Sequence, residues 1–297
     1  MYAINGHVLT WNSSASYWES KSPSGSSTIS GLTDVGIDSP QQYQVLMYDG
    51  SGSWNNVALM NYDISITSWC NANCPSCKRI EDHFSPIIKN DNDYKLHKGL
   101  VQKHMKYEIF EKILKRDFSS FKNSTCSFEG ELGDAMVHPD VEKFIDLGCK
   151  TFFTLKVVTN GGVRNRIFYE SIAKKYKNLF FYFAIDGIDD ETNQKYRINV
   201  NTKKAYENMI AFSENALPRN NPITGEIIPA TSLYYNIFSH NWFEIPEIID
   251  MLNNYYIKLI FRVNNRPKFK ISKNNLLKCQ ELYEKYKSPL SEFLISN

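Results

Sequence analysis

From Asp63 onward the chain alternates short apolar runs with longer stretches whose apolar residues recur at helical spacing. The runs are DISITSW (63–69), TCSF (125–128), TFFTLKVV (151–158), LFFYFAI (179–185), TSLYYNIF (231–238) and IKLIFRV (257–263). Their β-branched and aromatic content predicts strands. Between them lie KYEIFEKILKRDF, HPDVEKFIDLG, RIFYESIAKKY, TKKAYENMIAFSENA and FEIPEIIDMLNN, whose periodicity predicts helices. In the second of these, Pro139 suits the first helical turn and Gly148 suits the helix end. Regular alternation of strand and helix predicts βα units on a parallel sheet, so the expected fold is α/β. With right-handed crossovers, six strands make an open, partial (β/α)6 barrel of the TIM type. A closed eight-stranded barrel needs more chain.

Residues 1–60 have another texture, rich in Ser, Gly and Asn, with KSPSGSS and YDGSGSW as turn-forming punctuation and little helical periodicity. Such a segment is either a small β element or a polar tail without a core of its own. The chain thus divides into an N-terminal segment (1–60), a core (61–270) and a terminal helix (271–297) carrying NNLLKCQELYEKYK.

Composition narrows the classes. A chain of 297 residues, 42% of them hydrophobic, can bury a full-sized core. Lys and Arg number 34 against 32 Asp and Glu, a net charge of +2, so no broad basic surface points to nucleic acid. KFKISKNNLLK (268–278) is the one basic stretch, and it fits the solvated face of a terminal helix. The longest apolar run, LFFYFAI, is too short to span a bilayer, and the start MYAINGHVLTW lacks a cationic signal-peptide region. Cys126, Cys149 and Cys279 are scattered without paired spacing. These features fit a cytoplasmic protein in a reducing compartment.

In parallel α/β folds, sites form at the carboxyl ends of the strands. Four runs end in polar or glycine-rich residues there. The first is followed by Cys70, Cys74 and Cys77 in ITSWCNANCPSCKR, the second by EGELGD (129–134), the third by TNGG (159–162) and the fourth by DG (186–187). Singly, TNGG and DG are ordinary turns; their joint placement on one rim points to a site. Three thiolates spaced C-x3-C-x2-C can bind a four-iron cluster and leave its fourth iron open. A structural zinc site wants a second C-x2-C pair, and a disulfide leaves one of the three cysteines over.

C-x3-C-x2-C after the first strand of a partial barrel resembles the hallmark of the radical S-adenosylmethionine (SAM) superfamily, over roughly residues 63–266. The resemblance implies a [4Fe-4S] cluster on Cys70, Cys74 and Cys77. Its open iron chelates SAM, and reduction yields a 5′-deoxyadenosyl radical that abstracts hydrogen from a substrate. FEGELGDAMVHPD is similar to the family's glycine-glutamate segment, which implies that Gly130, Glu131, Gly133 and Asp134 meet the SAM ammonium. VVTNGG resembles the third-strand T-N-G, with Thr159 and Asn160 near the ribose or methionine moiety. FAIDGIDDETNQKYR resembles the fourth-strand segment, with Asp186 beside the cofactor and Arg197 toward the SAM carboxylate. In SHNWFEIPEII, His240 and Asn241 are expected at a helix start.

Two departures stand out. Ser76 occupies a position that is usually aromatic, and EGE replaces the usual GGE.

Among radical SAM groups the motif set resembles that of proteins of tailed bacteriophages. Residues 31–59 (GLTDVGIDSPQQYQVLMYDGSGSWNNVAL) resemble one copy of a phage tail-fibre repeat. The implied partners are a small-molecule or peptide substrate and an electron donor such as flavodoxin or ferredoxin, without membrane or nucleic acid. Cys279 is the only cysteine beyond Cys149, so a cysteine-rich extension for auxiliary clusters is not expected. The competing expectation is a phage structural or interaction protein whose cysteines hold a metal passively. A passive site does not require polar residues at three further strand ends.

Overall fold

The computed structural model describes residues 61–80, 100–115, 124–129, 132–220, 226–264 and 269–295, together with six N-terminal strands. Those strands are β1 (Val8–Asn12), β2 (Tyr17–Ser22), β3 (Gly25–Thr28), β4 (Val35–Gly36), β5 (Gln44–Tyr48) and β6 (Trp54–Ala58). They form one sheet in the order β3-β2-β1-β5-β6-β4. Residues 31–59 supply β4 to β6; their side chains lie outside the described residues.

The second sheet begins with β7 (Asn61–Asp63), β8 (Thr125–Phe128), β9 (Thr154–Thr159) and β10 (Leu179–Ala184). After the two-residue strands β11 (Arg219–Asn220) and β12 (Ile227–Ile228), which pair only with each other, come β13 (Thr231–Ile237), β14 (Ile257–Val263) and β15 (Ser291–Ile295). The seven long-sheet strands are all parallel, in the order β15-β14-β13-β10-β9-β8-β7. Because spatial order follows chain order, right-handed crossovers lay every helix on the same face. The helices are α1 (Tyr107–Lys115), α2 (Val141–Thr151), α3 (Arg166–Ala173), α4 (Asp190–Asn193), α5 (Thr202–Asn215), α6 (Ile245–Leu252) and α7 (Lys273–Tyr286). The result is the expected parallel α/β partial barrel, with one strand more than the pattern announced. Among the described residues no helix is long and apolar enough to cross a membrane.

The two faces of the sheet differ. Leu155, Val157, Phe181, Phe183, Leu233 and Phe261 point toward the helices and are almost fully buried. Most alternate residues of β9, β10, β13 and β14, including Lys156, Tyr182, Tyr234 and Arg262, stay partly accessible, while Ala184, Ser232 and Ile260 are buried. Side chains of a strand alternate between faces, so the helix side holds the core and the concave side is open.

Three local features depart from the sequence pattern. Most of DISITSW is not strand, because its backbone pairs with 101–105 instead: Ser68 donates to the Lys103 carbonyl (3.0 Å) and Met105 to the Ile66 carbonyl (2.8 Å). The segment 271–297 holds, besides its helix, the strand β15; SEFLI is too short and mixed to show strand periodicity. It is pinned by Tyr283, whose hydroxyl donates to the Ser291 carbonyl (2.9 Å) and whose ring packs on Phe293. Gly148 does not end α2, which continues to Thr151. A Cβ on Gly148 would lie 2.9 Å from a methyl of Leu155, so glycine is there to let the helix approach β9.

Overpacking costs roughly 1–3 kcal/mol, more than the roughly 1 kcal/mol that alanine gains over glycine in helix propensity. Gly148→Ala is therefore expected to lower Tm by a few degrees in a calorimetric scan. A raised Tm would contradict the close-approach account.

Candidate active site

Past β7 the chain runs over the carboxyl ends of the strands as a loop carrying Cys70, Cys74 and Cys77. Cys74 is buried, and the other two are partly accessible. On one side the loop is held by Gly133 and Asp134. The Asp134 amide donates to the Trp69 carbonyl (2.8 Å). A Cβ on Gly133 would come within 2.6 Å of that same oxygen and still closer to the Thr67 carbonyl. On the other side the Asn73 amide donates to the Ile198 carbonyl (3.0 Å).

Asp134 is buried and both its oxygens are engaged. Oδ1 accepts from the Met136 amide (2.9 Å), and Oδ2 accepts from the Thr159 hydroxyl (2.9 Å) and the Asn160 amide (2.8 Å). Burial raises its pKa, and these hydrogen bonds offset part of the rise. The carboxylate thereby joins the loop after β8 to the loop after β9. Asn160 then reaches back to the cysteine loop: Nδ2 donates to Asn71 Oδ1 (2.8 Å) and to Cys70 Sγ (3.7 Å). The Ala72 amide is a second donor to that sulfur, at 3.3 Å. Burial pushes the Cys70 thiol up to about 12, with the negative charges of Asp134 and Cys74 adding to it.

Asp186 braces the other half of the rim. It has no accessible surface, and its Oδ2 accepts from Arg197 Nε at 2.6 Å. Oδ1 accepts from the backbone amide (2.8 Å) and side chain (2.9 Å) of Asn236. The Asp186 amide donates to Asn193 Oδ1 (2.8 Å), and its carbonyl accepts from Asn241 Nδ2 (2.8 Å). Arg197 spans the gap to the cysteine loop, with Nη1 3.8 Å from Cys74 Sγ. Burial alone would lower the guanidinium, yet Asp186 and Cys74 outweigh it and hold it above its ordinary value. Burial raises the Cys74 thiol, and Arg197 pulls it back down in part.

Gly133, Asp134, Thr159, Asn160, Asp186 and Arg197 thus meet the cysteine loop in one connected set. Gly130 and Glu131 lie outside the described residues. Among the described residues, no three His, Cys, Asp or Glu side chains close into a cage for a single ion.

The chemistry of the donors nevertheless suits a group that brings negative charge. Two sulfurs face N–H donors, and Arg79, buried beside Cys70, has an Nε without a hydrogen-bond partner among the described residues.

Sequence reasoning missed Asn71, Arg79, Asn193 and Asn236. It assigned Asn241 to a helix start, where it does precede the short helical turn Trp242–Glu244 without capping it by a side-chain bond. His240 stacks on Phe238, and its Nε2 is buried without a hydrogen-bond partner among the described residues.

No family model matches the chain, and no curated protein matches it. Solved structures do. SuiB from Streptococcus suis bound to S-adenosylmethionine is 11% identical, with a TM-score of 0.55 over 82% of this chain and 51% of that one. SuiB bound to precursor peptide SuiA is 13% identical, with a TM-score of 0.54 over 80% of this chain and 49% of that one. Native anSMEcpe with bound AdoMet and Cp18Cys peptide is 15% identical, with a TM-score of 0.52 over 76% of this chain and 59% of that one. The chain spans about half the length of SuiB. What is shared is the fold, the partial barrel of radical SAM enzymes.

Gly133→Ala places a methyl against two backbone oxygens that cannot rotate away, so the cysteine loop must shift. Maleimide labelling of Cys74, read by peptide mass spectrometry, is expected to accelerate several-fold; an unchanged rate would contradict the clamp.

For His240 the expectation concerns pH. Burial, then the Lys195 charge, lowers its pKa from 6.5 to about 4. A histidine kept neutral in the fold lends stability above its unfolded pKa and loses it as pH falls from 6.5 toward 4. The fall in Tm over that window should be shallower in His240→Phe; equal slopes would show that His240 does not contribute.

Proposed function

We propose that the chain is a radical SAM enzyme that holds a [4Fe-4S] cluster through Cys70, Cys74 and Cys77. In this reading S-adenosylmethionine lies on the rim formed by the loops after β8, β9 and β10. The observation that carries it is the set of donors aimed at sulfur. The Ala72 amide and Asn160 Nδ2 face Cys70, and Arg197 Nη1 faces Cys74. Hydrogen bonds to ligating sulfurs stabilise thiolates and tune the reduction potential of an iron–sulfur centre. Thiols raised by burial give up their protons when a cation binds, so loading of the site releases protons and favours the fully ligated loop. When bound, a reduced cluster supplies the electron for cleavage of SAM and hence the radical that abstracts hydrogen from a substrate.

The other residues act by position. Asp134 and Asp186 work from within the fold, holding Thr159, Asn160 and Arg197 in place for the ribose, methionine and carboxylate portions of SAM. Gly133 keeps the cysteine loop down on the strand ends. Gly130 and Glu131 belong to the SAM pocket in this proposal by sequence motif alone. The substrate is a peptide or a small molecule; SuiB and anSMEcpe, solved with peptides, support the peptide class. Electrons come from a flavodoxin- or ferredoxin-type donor. The N-terminal strands include the stretch that resembles a tail-fibre repeat, and in this reading the protein is phage-derived.

Anaerobic reconstitution with iron and sulfide, followed by EPR of the dithionite-reduced protein, tests the reading. A four-iron signal that shifts on adding SAM and is absent in Cys74→Ala is expected. Stoichiometric zinc with no SAM-sensitive signal would overturn it. Asn160→Ala, which removes one donor to Cys70, is expected to make the centre harder to reduce and lower its midpoint potential in a redox titration. A potential equal to wild type would remove Asn160 from the tuning set.

A further inference from the structure

The open concave face of the sheet carries a cluster that the cysteine site does not use. Tyr182 on β10 and Tyr234 on β13 pack ring against ring at 4.8 Å. On the next strand, β14, the Arg262 guanidinium sits over the Tyr234 ring, 3.7 Å from its centroid. Three adjacent strands thus contribute two tilted rings and a cation in contact. All three side chains remain partly accessible, whereas the intervening residues Phe183, Leu233, Tyr235 and Phe261 are buried against the helices. A barrel interior is ordinarily filled by layers of branched apolar side chains; here two rings and a cation stand beside the buried Ile260 and Ser232 and remain partly accessible.

The charges of Glu129 and Glu292 reach both rings of this cluster. Glu292, on the neighbouring strand β15, is taken by Lys258 at 2.7 Å. No carboxylate among the described residues makes an ion pair with Arg262. A guanidinium held over a ring is pre-oriented, and its fork of N–H donors suits two-point recognition of a carboxylate or phosphate.

Register places the Arg262 backbone. It pairs directly with Asn236, and Asn236 donates to Asp186, the residue that holds Arg197 against Cys74. Neighbouring strands are about 4.8 Å apart, so the Arg262 backbone lies one strand away from the network that supports the cysteine loop, and its guanidinium leans back over Tyr234.

We propose that Arg262, stacked on Tyr234 and backed by Tyr182, anchors the substrate through an oxyanion, a carboxylate or a phosphate, and holds it on the concave face beside the cysteine site. This rests on the reading of that site as the place of chemistry, but the anchoring itself needs neither cluster nor SAM. A positively charged fork selects anionic substrates and sets the distance from the anion to the reacting carbon; it is a specificity-determining residue.

The test uses the full chain as purified and, in parallel, reconstituted. N-acetylphenylalanine, phenyl phosphate and the neutral N-acetylphenylalanine amide are titrated by calorimetry into wild type, Arg262→Lys, Arg262→Gln and Tyr234→Leu. Wild type is expected to bind at least one anion and not the amide, and the preferred anion tells carboxylate from phosphate. Arg262→Gln should weaken that binding roughly ten- to a hundredfold, the span of a lost charge-assisted hydrogen bond. Arg262→Lys should lose part of it, because charge survives and the fork does not. Tyr234→Leu should fall between, with Tm recorded for each variant.

Substrate-free SAM cleavage by reconstituted Arg262→Gln separates the two claims. Retained cleavage with lost anion binding supports the anchor. Lost SAM binding with unchanged anion binding overturns it, as does a wild type that binds none of the anions or the amide equally well. If no reconstituted protein cleaves SAM yet Arg262→Gln still loses the anion, the anchor stands and the radical reading falls.

Discussion

Asp186 sits without any accessible surface at the carboxyl end of β10, and Arg197, 2.6 Å away, gives it a partner. A buried carboxylate is tolerable only when paired and fully hydrogen-bonded. Here both oxygens are engaged, one by Arg197 and the other by the backbone and side chain of Asn236. Removing one member of such a pair strands the other, at a cost of roughly 3–5 kcal/mol. The pair therefore does more than contribute stability: it fixes where Arg197 points, and Arg197 points at Cys74.

From that contact the site can be followed outward. The amide and carbonyl of Asp186 are held by Asn193 and Asn241, so its backbone is as constrained as its side chain. On the far side of the cysteine loop Asp134 plays the corresponding part, tying Thr159 and Asn160 to the loop after β8. The cysteines themselves sit on irregular chain, which is adaptable. Their surroundings are short polar bridges anchored in a parallel sheet, which is rigid. That division suits a site whose ligands must close around a group while the frame beneath keeps its shape.

Much of this was legible in the chain because the fold puts function at one edge. Polar residues directly after apolar runs mark Cys70, Asp134, Asn160 and Asp186 as rim residues, since strand ends in parallel α/β folds converge on one rim. Pairings were harder to foresee. Asn236 and Asn241 lie 50 and 55 positions from Asp186, and nothing local marks them as its partners. Gly148 read as a helix end because glycine commonly stands there, whereas its reason is a neighbouring strand that only tertiary structure reveals. The strand β15 was hidden in five mixed residues, and Arg262 looked like any polar position of a half-buried strand. In each case the signal resided in packing between distant segments.

The account's central claim is that the Asp186–Arg197 brace sets the geometry in which SAM is cleaved. The most direct measurement is formation of 5′-deoxyadenosine from SAM by the reconstituted, dithionite-reduced protein, compared between wild type and Asp186→Asn at matched iron content. The account predicts folded Asp186→Asn protein that binds iron but produces 5′-deoxyadenosine at least about tenfold more slowly, the consequence of a misplaced group at a reacting centre. Equal rates at equal iron content would show that the cysteine loop does not need the brace.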